Sequence, residues 1–247
     1  MTHLRHGVQK DPLPIVFGTD GWRAVIAEEF TFENVRLCAQ GTATFMKQEG
    51  LDTKGLVVGY DTRFASEQFA AAVAEVTAAN GIYTLLSKRA EPTPVISSEV
   101  VSRGAGAGVI ITASHNPAEW NGFKFKQRNG GSASPKVVGE LERHIARAAS
   151  NTIPRMTVLE ALEKQLVEFF DPRPAYFDNI VRLVEVEGIR RSGLTVLVDS
   201  MFGSGSGFFL KLLGGGSTEV IELREERNPG FPGMLQPEPL AQNLEIL

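Results

Sequence analysis

The run GVIITASHNPAEWNGFKFKQRNGG, residues 108–131, holds a strand, a loop crowded with polar side chains and a further strand or turn in direct succession. AGVIITA is a short apolar run and reads as a strand buried on both faces. Just past it stand Ser114, His115, Asn116, Asn121, Lys124 and Lys126 among several glycines. In open α/β sheets, ligands bind beyond the carboxyl ends of strands. Such a loop can expose one hydroxyl while backbone N–H groups surround an anion. Phe123 and Phe125 alternate with the two lysines. Lys124 is a mobile point charge suited to phosphate oxygens, and Lys126 reads as solvated surface.

Upstream, strand and helix alternate. PIVFGTDGWRAVI reads as the first ordered stretch after a flexible leader at 1–14. A helix is expected from Thr31, its cap, with Glu33 in the first turn and Val35, Cys38, Thr42 and Phe45 on one face. Leu56–Tyr60 reads as a buried strand ending in Asp61 and Arg63. A second helix, capped by Ser66 and stopped by Gly81, carries Phe69, Val73 and Val76 on one face. IYTLL reads as a strand and PTPVISSEVVSRG as a helix. Downstream, Ser134 and Pro135 open a helix with the stripe Val138, Leu141 and Ile145.

MTVLEALEKQLVEFF reads as helical and sits between two turns, at a seam near 150–175. A helix around FDNIVRLVEV, a buried strand LTVLVDS, a glycine turn entering the helix FFLKLL, a strand TEVIEL and a final helix start follow. The fold class is therefore α/β: a three-layer α/β/α domain with a mixed, largely parallel sheet over 15–155, followed by an incomplete second α/β domain over 156–247 that opens with a linker helix.

Composition narrows the function. The 247 residues carry a formal net charge of -4 with no long basic block, which argues against a nucleic-acid partner held through backbone phosphates. A single cysteine, Cys38, excludes an intrachain disulfide and reads as a buried small hydrophobe. No apolar run reaches membrane-spanning length, so no membrane is expected and the location reads as cytoplasmic.

TASHNPAEWNGFK, residues 112–124, resembles the phosphoserine signature of the α-D-phosphohexomutases, the phosphoglucomutase/phosphomannomutase family. FGTDGWR at 17–23 resembles that family's amino-terminal motif. GYDTR at 59–63 resembles the end of its next strand, and LTVLVDSMFGSGSG at 194–207 the opening strand and turn of its second domain. The order is right, and the likeness covers roughly 15–247.

The resemblance implies a phosphotransferase that interconverts hexose 1-phosphate and hexose 6-phosphate. Ser114 would carry the phosphoryl group, pass it to a hexose phosphate and regain one from the sugar bisphosphate so formed, which also acts as activator. Arg23, His115 and Lys124 would surround the transferring group, with Lys124 as general acid/base. Asp61, Arg63, Asn116 and Asn121 would orient them. The family's magnesium is held by a D-x-D-x-D-R loop and by an oxygen of the Ser114 phosphate. No D-x-D occurs in this sequence, so the resemblance puts the three aspartate ligands beyond Leu247. It thus implies a truncated chain, domain one plus part of domain two with domains three and four missing, and negligible turnover alone. It leans towards phosphoglucomutase, but the sugar-selecting loop is not in the sequence, and no residue pattern specifies an oligomer.

Three rival readings follow from the residues. GSGSG after LTVLV suggests a dinucleotide site with Glu222 as the ribose acid, although the spacing is not G-x-G-x-x-G. A serine hydrolase at Ser114 would need His144 as remote base. A noncatalytic domain that keeps the family fold is the third.

Overall fold

In the computed structural model, residues 15–18 and 20–246 are described. The leader expected at 1–14 lies outside them, as does Leu247. The elements run β1 (Trp22–Val25), α1 (Phe32–Gln48), β2 (Leu56–Tyr60), α2 (Ser66–Ala79), β3 (Thr84–Ser87), α3 (Thr93–Ser102), β4 (Ala107–Ile111), β5 (Trp120–Gln127), α4 (Pro135–Ala148), α5 (Val158–Glu163) and β6 (Val167–Phe170). They continue with α6 (Arg173–Leu183), α7 (Val186–Arg190), β7 (Thr195–Asp199), α8 (Phe208–Leu213) and β8 (Glu219–Leu223).

Six strands form one sheet in the order β1-β5-β4-β2-β3-β6. The pairs β4–β2, β2–β3 and β3–β6 are parallel, whereas β5 runs antiparallel to both of its neighbours. The mixed, largely parallel sheet is as expected. Alternation along the strands explains the three layers. Leu56, Val58, Val109 and Ile111 pack with α1, α2 and α4 on one face, while Val57 and Ile110 pack with Ile96 and Val100 of α3 on the other. Because both faces are covered, every residue of β2, β3 and β4 is buried.

Thr31 and Ser134 cap their helices as expected, and Ser66 does not. The Thr31 hydroxyl accepts from the Asn34 N–H at 3.2 Å, as an N-cap should. Ser66 does not cap α2. Ala65 occupies the cap position in a left-handed conformation, and the Ser66 hydroxyl instead donates to Asp61 at 2.8 Å.

The stretch 156–170 also departs from expectation. It is not one linker helix: α5 ends at Glu163, and Val167–Phe170 pairs with Thr84–Ser87 as the last strand of the first sheet. Val167 and Phe170 are buried while Glu168 and Phe169 are open, the mark of an edge strand set against a core on both flanks. A window of apolar and charged residues suits either period, and pairing with β3 decides it.

Beyond it, β7 and β8 form a two-stranded parallel sheet. LTVLVDS is a strand as read but not a buried one, since Leu197 is 49% exposed. The final stretch forms a single 3-10 turn at Ala241–Asn243 rather than the start of an α-helix.

Candidate active site around Ser114

Ser114 stands at the carboxyl end of β4, exposed, with φ +59. Its N–H donates to the Thr112 hydroxyl at 2.9 Å, which closes a tight local turn. An L-residue in the left-handed region costs about 1 kcal/mol or more, so the surrounding structure must hold the turn.

Arg63 is the holder. Its side chain is 1% exposed. Nη2 donates to the carbonyls of Asn116 (2.6 Å) and Ser114 (2.7 Å), and Nη1 to those of Pro117 (2.8 Å) and Trp120 (3.1 Å). Nε lies 3.3 Å from Asp61 Oδ2, and the guanidinium stacks over Phe231 at 5.1 Å. Burial lowers the pKa of Arg63 from its ordinary value, with Asp61 opposing. A planar five-donor fork can satisfy four carbonyls at once, and an ammonium cannot.

Asp61 completes the frame, its Oδ1 accepting from the Arg63 N–H and the Ser66 hydroxyl. Asn121, fully buried, donates to that same Ser66 hydroxyl at 2.9 Å and to the Phe64 carbonyl at 3.3 Å. The loop is thus tied to α2 from below through Asp61, Ser66 and Asn121.

Arg23 reaches the loop through Asn116, Nη1 donating to Oδ1 at 2.8 Å. It sits opposite Gly122 on the β1–β5 pair, where a Cβ would come within 3.0 Å of Arg23 Cγ. Lys124 is 4% exposed, its Nζ bonded to Asp20 Oδ2 at 2.5 Å. Lys126 corrects the expectation of a solvated side chain. It is 6% exposed, bonded to Asp20 Oδ1 at 3.3 Å and to Ser132 at 3.1 Å. Its aliphatic stem lies on the sheet face while its charge is neutralised locally.

A cleft of about 400 Å³ opens beside the loop. Thr112, Ser114, His115, Asp61, Thr62, Arg63 and Glu91 line it from the first domain, and Asp199 at the end of β7 and Ser200 just past it from the second. Arg23 and Lys124 stand outside that lining, on the β5 side of the loop. The two sheets meet here through Thr62, whose hydroxyl donates to the Phe202 carbonyl at 2.9 Å. Glu91 accepts from Arg173 Nε at 2.7 Å. Asp20, Glu91 and Phe231 were not singled out from sequence; Asp20 alone carried a signal, lying inside FGTDGWR.

A serine on a strained turn past a strand end, with a buried arginine beneath and cations alongside, is a geometry for handling an anion. The family model described as phosphoglucomutase/phosphomannomutase, alpha/beta/alpha domain I, matches residues 14–152, and that of domain II matches 174–247. The chain belongs to the phosphoglucomutase/phosphomannomutase family.

Within that family, a Pyrococcus furiosus protein called "Probable phosphoglucosamine mutase" is 34% identical over 190 residues, covering 77% of this chain and 38% of the relative. A Thermococcus kodakarensis protein named "Phosphoglucomutase/phosphomannomutase" is 30% identical, covering 93% of this chain and 49% of its own. A solved structure from Thermus thermophilus, named for phosphomannomutase, superposes with a TM-score of 0.84 at 33% identity, over 96% of this chain and 51% of that one. The chain spans about half the length, or less, of these relatives.

The family's magnesium finds no cage among the described residues, which hold no group of three or more His, Cys, Asp or Glu able to bind a metal ion. Among the described residues Ser114 has no carboxylate, His or Cys cluster with which to share a metal ion. The three carboxylates bordering the cleft are already engaged: Asp61 by Arg63, Glu91 by Arg173 and Asp199 by Arg224. The Arg224 ion pair holds Asp199 below the usual carboxylate range despite burial. These residues do not fit the ion.

The dinucleotide and serine-hydrolase readings lose their residues. Both Glu222 oxygens accept from the Gly207 N–H at 3.1 Å, so the acid fills the α8 amino terminus rather than awaiting a ribose. His144 is buried on α4, away from the cleft lining. Cys38 is fully buried, and burial pushes its thiol up, away from the reactive thiolate.

Proposed function

We propose that this chain carries the phosphoryl-accepting half of a phosphohexomutase, with Ser114 as the acceptor and a hexose bisphosphate as the donor. The observation that supports the reading best is the exposed Ser114 hydroxyl at the mouth of the cleft, on a turn whose carbonyls are drawn away by Arg63. In the transfer, the bond from phosphorus to the sugar oxygen breaks as the bond from phosphorus to Ser114 Oγ forms. The Oγ proton leaves to a base, and the departing sugar oxygen gains one. His115, on the cleft wall beside Ser114, and Arg23, anchored by Asn116, supply donors to the phosphoryl oxygens. Lys124 serves as general acid/base from the β5 side. The parent activity is the interconversion of hexose 1- and 6-phosphates.

The test is direct. The 247-residue chain is incubated with glucose 1,6-bisphosphate and digested, and the peptide spanning 104–124 is weighed. A phosphoryl group on Ser114, absent in Ser114→Ala, is expected. Phosphate on another residue, or none on any peptide, would sink the assignment.

A further inference from the structure

Arg23, Lys124 and Lys126 lie in a row on one face of the sheet that starts at the serine loop and runs back along β5, Lys124 opposite Ile110 and Lys126 opposite Gly108 of β4. Lys124 and Lys126 are two residues apart on β5, and Gly122, two residues earlier, is the register partner of Arg23. Three like charges at this spacing repel unless something intervenes.

One carboxylate intervenes. Asp20 Oδ2 takes Lys124 Nζ at 2.5 Å and lies 4.0 Å from Arg23 Nη2, and Oδ1 takes Ser132 Oγ at 2.8 Å and Lys126 Nζ at 3.3 Å. Partial burial opposes its ionisation, but the hydrogen bonds from Lys124 and Ser132 and the charges of both lysines outweigh it. The carboxyl is held at about 2. It is therefore a fixed anion at neutral pH and not a proton carrier.

The backbone is built to put it there. Gly21 has φ +114, and a Cβ on it would fall 2.5 Å from the Phe123 carbonyl oxygen and 3.0 Å from Lys124 Cα. Only glycine lets the segment lie flat on β5 at the level of Lys124. The segment's closeness to that lysine is thus a property of the main chain and not of a chance side-chain rotamer.

We propose that Asp20 is the positioning residue for Lys124: it holds the amine in place between Arg23 and Lys126. This deepens the mutase reading and rests on it for its purpose, though not for its geometry. An incoming phosphate must then share Lys124 with a resident carboxylate, which tempers how tightly the resting site holds free anions.

Acetylation by acetic anhydride at fixed mildly alkaline pH, read by mass spectrometry, measures this without any turnover. In Asp20→Asn, Lys124 is expected to label about tenfold faster relative to the exposed Lys136, the scale of losing one close opposite charge. Asp20→Glu should label like the wild type. Should Asp20→Asn fail to fold, Lys126→Met decides instead, since it leaves the carboxylate to Lys124 and should slow that labelling about twofold. Lys124 labelling that stays within about twofold in folded Asp20→Asn, or rises in Lys126→Met, overturns the proposal.

Phosphoryl uptake at Ser114 supplies the second readout. Asp20→Asn should move the pH profile of uptake, whereas a merely structural role would lower the rate at every pH alike. Wild-type chain that takes no phosphoryl group would end the mutase reading, while the labelling rates would still decide the role of Asp20.

Discussion

Replacing Arg63 by methionine keeps an unbranched apolar stem and removes the charge and all five donors. Four carbonyls of the 114–120 segment then lose their partner, and Asp61 loses its counter-ion. Breaking a buried ion pair from one side costs about 3–5 kcal/mol. Each carbonyl left without a donor would add about 1–3 kcal/mol if it stayed dry. Arg63 borders the cleft, so water can enter and recover much of the second sum. The expected loss is therefore about 3–5 kcal/mol, or roughly 6–20 °C in Tm for a chain of this size. Thermal and urea melts measure the total, and amide hydrogen exchange locates it. Exchange in peptides covering 113–120 should rise well beyond that in β2 and β4. Arg63→Lys should fall between the two, because one ammonium cannot span the carbonyls that the fork reaches. A methionine variant within about 1 kcal/mol of wild type, or one with no added exchange over 113–120, would refute the assignment of Arg63 as the loop's holder.

Two further outcomes are expected. Burial raises Glu91 to about 7 against the opposing charge of Arg173, so its folded pKa lies above the ordinary 4.5. Its contribution to stability is full below pH 4.5 and is lost as pH rises through 7; melts of Glu91→Gln should lack this fall, and an equally steep one would contradict it. Ser114→Gly should be more stable than Ser114→Ala by about 1 kcal/mol, since only glycine meets φ +59 without strain. Neither variant should take phosphate, and equal melting midpoints would show that the turn is unstrained.

The first sheet could be read from the chain because its strands are short apolar runs closed by glycine and charge, and its helices carry clean stripes. Thr31 and Ser134 show capping at its most readable, each a hydroxyl facing an N–H three residues on. What failed was set by tertiary contact. Ser66 looks like a cap, but a carboxylate five residues back claims its hydroxyl. Val167–Phe170 has no period of its own and becomes a strand because β3 offers an open edge. Lys126 alternates with phenylalanines as a surface lysine would, yet Asp20, 106 residues away, buries it. In the site, Ser114, His115 and Arg63 were visible as motif members. The network was not, because Asp20, Glu91 and Phe231 come from three separate segments, and no local pattern announces such a convergence.

On the proposed function, a loop that offers a hydroxyl to a phosphoryl group faces an electrostatic problem. Its own carbonyl oxygens present negative ends that would repel the group it must receive. Here one buried guanidinium engages the carbonyls of Ser114, Asn116, Pro117 and Trp120, which commits those dipoles to the protein interior. The same four bonds fix the backbone that holds Ser114 in its left-handed turn. Strain, dipole removal and anchorage therefore have one common cause, and they should fail together rather than in sequence. The cations that remain are not free either, since Arg23 is tied to Asn116 and Lys124 to Asp20. The resting site is thus balanced, with each positive group already held by an oxygen of the protein. Under the proposed function an arriving phosphoryl group would compete for donors whose positions are set beforehand, and most of the reorganisation that charge transfer would demand in water would be avoided.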